Sequence, residues 1–196
     1  MLDKNHNQDS TIEISKIKKC LDENPLISIL CNEPFVKASF LSKIINEIDT
    51  SIIYLDFDLL YTGYVKSEML PKNLRVSLFT PSKNDWNDVL KKVLLMVLNQ
   101  KFIVILDSLN GLYNLFDDKD VGRLVNAYIM LLVFVAKESG SSVLLSSIVR
   151  KKEENGWVLS PTGRHVIDTK MIQLYLKKHN SGFTVNVLGD NESRRA

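Results

Sequence analysis

The sequence has few cysteines and no hydrophobic run long enough to cross a bilayer. Its two cysteines, Cys20 and Cys31, lie in different predicted elements without metal-ligand spacing, so we expect reduced thiols in an intracellular protein. Apolar runs such as residues 128–136 are much shorter than the roughly 20 residues of a membrane helix. The charged residues 1–10 also lack the pattern of a signal peptide. We therefore expect a cytoplasmic protein with no membrane partner.

No excess of one charge is present either. The chain of 196 residues has 25 Lys and Arg against 23 Asp and Glu, a formal net charge of +2, so affinity for nucleic acid would need a local patch. With 45% hydrophobic residues, the chain is long enough for one well-buried domain and short for two. We expect a single domain at residues 10–190, with flexible ends at residues 1–9 and 191–196.

Apolar runs alternate with helical repeats through the first 150 residues. The runs, typical of strands covered on both faces, lie at residues 26–31, 51–56, 74–79, 102–106 and 143–149. Apolar residues at helical spacing occur within residues 10–24, 36–48, 81–98 and 121–138. This alternation predicts a parallel sheet with right-handed crossovers, and two final alternating segments predict an antiparallel hairpin. The sequence therefore predicts one three-layer α/β domain with a mainly parallel central sheet.

Glycine is missing from the stretch that follows the first predicted strand. In the phosphate-binding template of glycine, four residues, glycine, lysine and a hydroxyl residue, both glycines fall on other residues, Cys31 and Val36. Side chains there obstruct a backbone that must fold tightly around an anion. The lysine is retained as Lys37, but Ala38 has no oxygen for magnesium, and Ser39 stands one position late. An ordinary turn with a solvated lysine and a degenerate phosphate loop both remain open.

A second polar group follows the fourth predicted strand. Four apolar residues run into Asp107 and Ser108, which places a carboxylate at a strand's carboxyl end, where it could hold a magnesium-bound water. Residues 102–113 resemble the corresponding strand and loop of the RecA, RadA and KaiC group of ATPases. The resemblance covers residues 26–188 in the same strand order, and it implies a RecA-like P-loop fold with a degenerate Walker A motif. Inactive RecA-like paralogues of this kind occur in recombinase-accessory and Elongator complexes.

The resemblance also assigns roles to single residues. In the family, the second core strand ends in an acidic pair that carries the catalytic glutamate, and Asp58 stands there, one methylene shorter. Ile148 stands where the family has a polar sensor. Lys37, Asp58 and Asp107 are thus vestigial catalytic candidates, and Lys37, Ser39 and Asp107 are the candidate nucleotide contacts. Ordinary explanations remain open as well: Asp107 as a turn or capping carboxylate, and Asp58 as a solvated strand end.

Phosphoryl transfer depends on positioning and electrostatics, so the lost glycines, magnesium hydroxyl and sensor predict no catalysis. We accordingly expect neither a bound cofactor nor a metal, with ATP and magnesium as the alternative.

In RecA-like proteins the loops after the fourth and fifth core strands contact DNA. The first loop here is acidic, whereas the second contains cations and an aromatic residue that could bind nucleic acid: Arg150, Lys151, Lys152, Trp157 and Arg164. A solvated loop with Trp157 packed beneath the sheet edge is equally consistent with the pattern.

The sequence leads to a first hypothesis of a non-catalytic, RecA-like pseudo-ATPase that binds and assembles. It would form a homo-oligomer or a hetero-oligomer with RecA-like subunits, and modulate recombination or bind DNA or RNA through the loop after strand 5. The second hypothesis is a slow or partner-completed RecA-like ATPase. A third, an unrelated small-molecule enzyme at the carboxyl end of the sheet, has no nucleophile with an adjacent base to support it.

Overall fold

The computed structural model of the chain describes residues 14–116, 120–152, 156–160, 171–179 and 182–188. The ends that the sequence predicts to be flexible lie outside these residues, as does Arg164. The elements in chain order are α1 (Ile14–Glu23), β1 (Leu26–Cys31), α2 (Pro34–Glu47), β2 (Ile52–Asp56), α3 (Leu60–Lys66), β3 (Val76–Phe79), α4 (Trp86–Asn99), β4 (Ile103–Asp107), α5 (Leu109–Asn114), α6 (Val121–Glu138), β5 (Ser142–Lys152), β6 (Gly156–Leu159), β7 (Ile172–His179) and β8 (Gly182–Leu188).

The strands form one sheet in the order β3-β2-β4-β5-β1-β7-β8, and β6 pairs with β5 outside this path. The pairs β1–β5, β1–β7, β2–β3, β2–β4 and β4–β5 are parallel. The pairs β7–β8 and β5–β6 are antiparallel. The predicted mainly parallel sheet with an antiparallel hairpin near the carboxyl end is therefore confirmed.

Helices cover both faces of the sheet. Because side chains alternate along a strand, β1 sends Leu26 and Leu30 into one hydrophobic cluster and Ile27 and Ile29 into the other. The first cluster packs against α4, α5 and α6, and the second against α1, α2 and α3. The predicted three-layer architecture is thus present, and β1, β2 and β4 are buried along their whole length.

Helix α6 has the bounds that its apolar repeat predicts. Its inward face consists of the buried residues Val121, Val125, Ile129, Leu132 and Ala136. Several apolar side chains on the opposite face remain in contact with solvent. None of the helices in the described ranges, α6 included, combines the length and the apolar character that a membrane span requires.

Several local features differ from the sequence-based prediction. Strand β3 and helix α4 begin at Val76 and Trp86, later than the predicted residues 74 and 81. Helix α2 begins at Pro34, two residues earlier than predicted, because a proline suits the first helical position, where no N–H is needed. The short helices α3 and α5 were not predicted. Strand β5 continues through the basic residues to Lys152 and pairs there with β6, so the predicted loop after strand 5 begins as a β-hairpin. Arg150 and Lys151 are exposed on this hairpin, and the side chains of Lys152 and Trp157 are not among those described.

Candidate functional site

The carboxyl ends of β1, β2 and β4 meet at one edge of the sheet, and the candidate residues gather there. Asp56 ends β2, Asp107 ends β4, and the two are direct partners across the parallel strands. Both point to the face that α2 covers, because Tyr54 and Ile105, two residues earlier in each strand, belong to the cluster under α2. Lys37 reaches the same edge from α2. The topology therefore places one lysine beside the two strand-terminal carboxylates.

Lys37 and Asp107 form an ion pair in which both side chains have 0% exposure. Three donors meet the Asp107 carboxylate: Lys37 Nζ and Ser146 Oγ donate to Oδ1, and the Tyr54 hydroxyl donates to Oδ2 over 2.5 Å. Burial raises the pKa of Tyr54 well above its usual value, and the Asp107 charge raises it further. Both oxygens of the Asp107 carboxylate therefore accept hydrogen bonds from within the protein.

Asp58 is the second partner of Lys37. Its Oδ2 lies 3.6 Å from Lys37 Nζ and accepts a hydrogen bond from Ser108 Oγ, while its side chain is only 26% exposed. Ser108 also caps α5, because its Oγ accepts a hydrogen bond from Gly111 N. A Cβ atom at Gly111 would collide with Asp58 Oδ1 and lie 2.7 Å from Phe57 Cβ. Glycine is therefore required at position 111 to let α5 approach Asp58.

Asp56 is fully buried beside this group. Its Oδ2 accepts a hydrogen bond of 2.7 Å from Thr62 N, and its Oδ1 has no hydrogen-bond partner. Burial raises the pKa of the Asp56 carboxyl. The neighbouring Tyr61 stacks on Tyr54 with ring centroids 4.2 Å apart, and burial raises the pKa of Tyr61 to about 12. These groups extend the polar cluster along β2 beneath α3.

The connection between β1 and α2 does not fit a bound triphosphate. It consists of two residues, Asn32 and Glu33, because Cys31 ends the strand and Pro34 begins the helix. Five of the eight template positions, residues 34–38, therefore lie within α2. Pro34 has no N–H, and Lys37 N already donates to Glu33 O, so the first helical turn leaves only two free amides. A phosphate loop needs a longer run of converging amides than this connection contains.

The side chains around this connection are also engaged elsewhere. Cys31 Sγ donates to Glu33 O over 3.2 Å, and burial raises the pKa of the Cys31 thiol. Glu33 pairs with Lys178 of β7 across 2.7 Å. Ser39 lies two residues after Lys37 in α2, roughly 200° around the helix, so its hydroxyl leaves the helix away from the cluster. Within the described ranges, no group of three His, Cys, Asp or Glu side chains is arranged to hold a metal ion.

Asn110 connects α5 to the basic hairpin. Its Nδ2 donates to Ile148 O over 3.0 Å and to Ser160 O over 2.7 Å, and its Oδ1 accepts from Ile148 N over 2.8 Å. Ile148 lies in β5, before the hairpin turn, and Ser160 directly follows β6. One amide therefore fixes both strands at the base of the hairpin. Ile148 stands at the position expected for a polar sensor, and its backbone rather than its side chain makes these contacts.

The structure thus brings together Lys37, Asp58 and Asp107 and leaves Ser39 apart. Sequence reasoning missed Tyr54 and Ser146 as partners of Asp107. A signal for Ser146 was present, because polar residues inside a buried strand usually have a hydrogen-bond partner, but Ser147 shares that signal and its hydroxyl has no such partner. Tyr54 gave a weaker signal, since tyrosine is common in strands for packing reasons alone.

The sheet order and the helices on both faces place this chain in the class of three-layer α/β domains with a mainly parallel sheet. Known structures of that class are similar to this chain throughout most of its length. The crystal structure of the RadB recombinase matches with a TM-score of 0.57 and 13% identity, over 88% of this chain and 84% of that one. A second solved structure, an ATPase domain, matches with a TM-score of 0.54 and 11% identity, over 84% of this chain and 74% of that one. No protein-family model matches the sequence, and no curated protein does so. The sheet order and the similarity to these two solved structures show that the chain has a RecA-like fold.

Proposed function

We propose that this chain is a RecA-like protein that neither binds ATP tightly nor hydrolyses it, and that acts by binding and assembly. The buried position of Lys37 is the observation that carries the proposal. Its ammonium group contacts Asp107 and lies 3.6 Å from Asp58, with no exposed surface. A lysine that grips a phosphate must face the ligand, so nucleotide binding would require it to leave a buried ion pair.

Electrostatics support the same conclusion. An incoming triphosphate would meet the carboxylates of Glu33, Asp58 and Asp107 around a single buried lysine. Like charges at short range in a poorly hydrated site repel strongly. The two free amides of the first turn of α2 are too few to compensate, and Ala38 offers no oxygen to a magnesium ion.

The proposed ligand of the basic hairpin is single-stranded DNA or RNA. Arg150 and Lys151 are exposed on β5, and β6 pairs with this segment of the strand. Cations on a fixed hairpin can neutralise phosphates, and an aromatic residue such as Trp157 can stack on a base. Assembly would involve a second copy or another RecA-like subunit. The similar RadB structure is that of a recombinase, which favours recombination as the process that this chain modulates.

A second candidate function is a slow or partner-completed ATPase. The observation that favours it is the retention of Lys37, Asp58 and Asp107 at one edge of the sheet. In this case Lys37 would turn out of the cluster when nucleotide arrives, or a neighbouring subunit would supply the missing donors. The second similar structure is named as an ATPase domain.

Calorimetry and a phosphate-release assay distinguish the two candidates. We expect no saturable heat with magnesium and ATP at concentrations up to about 1 mM, which corresponds to a binding free energy weaker than about 4 kcal/mol. We also expect no turnover above background. Magnesium-dependent turnover that is lost in Lys37→Met and retained in Lys178→Met would establish the ATPase instead. Lys178 is a suitable control because its ion pair with Glu33 is exposed.

Fluorescence anisotropy with labelled oligo-dT and oligo-U tests the hairpin. The double variant Arg150→Glu/Lys151→Glu should weaken binding on the order of tenfold or more, and the wild-type affinity should fall steeply with salt. The control Lys43→Glu/Lys91→Glu makes the same change in net charge at exposed lysines on α2 and α4, and it should bind nearly as wild type. Equal losses in both double variants would contradict a specific role for the hairpin.

A further inference from the structure

The outward face of α6 carries a continuous stripe of exposed side chains. At roughly 100° per residue, these side chains fall within about 100° of one another around the helix axis. The stripe consists of Arg123, Ala127, Met130, Leu131, Phe134 and Glu138. Its apolar centre lies between Arg123 at one end and Glu138 at the other, and the exposed Lys137 lies just outside the stripe, about 20° from Met130 around the axis.

The apolar part of this stripe is large for a helix face that meets only water. Phe134 is 64% exposed, Met130 52% and Leu131 41%, and they are adjacent along the helix surface. The buried side chains of α6 occupy the opposite face, so the helix is apolar on both sides. A helix with this composition usually packs against a partner on each face.

The stripe is complementary to itself in the antiparallel direction. About a midpoint between Met130 and Leu131, each position faces the one at the same distance on the other side. Phe134 then faces Ala127, a large side chain against a small one. Glu138 faces Arg123, so opposite charges meet at both ends of the pair. We propose that α6 is a two-fold interface, at which a second copy of this chain packs its own α6 antiparallel to the first.

The charges disfavour the other simple arrangement of two copies. In a parallel pair each residue faces itself, so Arg123 would meet Arg123 and Glu138 would meet Glu138. Like charges directly opposite each other weaken an interface and suppress that register. The antiparallel pair is instead isologous and closes with two copies. Arg123 is available for this contact, because its 3.8 Å pairing with Asp120 is a highly exposed one.

A contact made by one helix from each copy is small. Interfaces of this kind fall below about 1,200 Å² in total, which is typical of weak and transient association. We therefore expect a dissociation constant in the micromolar range. The inference rests on the assembly part of the proposed function and specifies its partner and surface. It does not depend on whether nucleotide binds.

Sedimentation velocity of the full chain from about 5 to about 500 µM tests the interface, since this range spans the expected dissociation constant. We expect dimers to form with increasing concentration. Phe134→Glu should weaken dimerisation on the order of 30-fold or more, because it places a charge in the apolar centre. The control Leu98→Glu makes the same chemical change at a residue of α4 that is 58% exposed, and it should leave the dimer intact.

Charge reversal tests the direction of packing. Arg123→Glu and Glu138→Arg should each weaken the dimer by about tenfold, because each creates two like-charge contacts. The double variant should regain the wild-type affinity. Circular dichroism should show that all variants are folded, since every substituted residue is exposed. A monomer at every concentration, an unaffected dimer in Phe134→Glu, or a double variant weaker than both single ones would each overturn the inference. Association that is insensitive to Phe134→Glu would leave the proposed assembly function standing with a different surface.

Discussion

Replacing Lys37 with methionine removes one partner of a fully buried ion pair. The substitution keeps the length of the apolar stem and leaves the Asp107 carboxylate with the Tyr54 and Ser146 hydroxyls as its remaining donors. Breaking a buried pair in this way costs about 3–5 kcal/mol, because the remaining charge is uncompensated. For a domain of this size, 1 kcal/mol lowers the melting temperature by about 2–4 °C. We therefore expect Lys37→Met to melt about 6–20 °C below the wild type.

Denaturant unfolding of a double-mutant cycle shows whether this cost belongs to the pair. Asp107→Asn retains an oxygen that accepts from Tyr54, and it leaves Lys37 near Asp58, so it should cost about 2–4 kcal/mol. The double variant Lys37→Met/Asp107→Asn has neither charge and should be little worse than either single variant. The coupling energy should reach about 2–3 kcal/mol.

Lys178→Met is the matched control for the same measurement. Its partner Glu33 is exposed, so this substitution should change stability by at most about 1 kcal/mol. If Lys37→Met were no more harmful than Lys178→Met, the lysine would be free to face a ligand. The case against nucleotide binding would then lose its main support.

Three further predictions concern stability, each measured by chemical or thermal unfolding. Gly111→Ala should destabilise the chain by about 1–3 kcal/mol, because its Cβ would lie 2.7 Å from Phe57 Cβ. The control Gly122→Ala, whose Cβ would have nothing within 4 Å, should be neutral or stabilising by up to about 1 kcal/mol. Equal effects of the two substitutions would contradict the packing of α5. Burial raises the pKa of Asp56 above 3.8, so ionisation of this carboxyl opposes folding. The stability of Asp56→Asn relative to the wild type should therefore increase as pH rises from about 4 to 7. A stability difference that does not change with pH would show that the carboxyl titrates as in the unfolded chain. Leu59 has a φ of 57°, so Leu59→Gly should stabilise the folded chain by about 0.5–1 kcal/mol. The control Leu74→Gly, at an exposed residue without a positive φ, should give no such gain.

Burial pattern explains why most of the sheet could be predicted from the sequence. The apolar runs in β1, β2 and β4 are near-continuous, as parallel strands covered on both faces require. The two missed helices are short and weakly marked: α3 follows a left-handed Leu59, and α5 has six residues with a glycine in the middle. Such helices form because of tertiary contacts, which a local pattern does not record.

The charged residues Lys37, Asp58 and Asp107 of the site could be predicted, whereas Tyr54, Ser146 and the geometry could not. Matching Lys37 and Asp107 to a template identified the residues that meet, but the template orients the lysine towards a ligand. The two-residue connection and the start of α2 at Pro34 turn it inward instead. The preference of proline for the first helical position was a readable signal of that start. The extension of β5 was obscured because Arg150 and its basic neighbours resemble a solvated loop, and only pairing with β6 makes them strand.

The three hydrogen bonds of Asn110 fix the base of the hairpin, at Ile148 and Ser160, and make no contact with the side chains further along it. The amide donates twice and accepts once at a single point, and an aspartate or a leucine of similar size could not do both. The positions of the two hairpin strands are therefore fixed at Ile148 and Ser160, where β5 and β6 meet α5. Side chains beyond that anchor can be exchanged without loss of the three hydrogen bonds that fix the two strands.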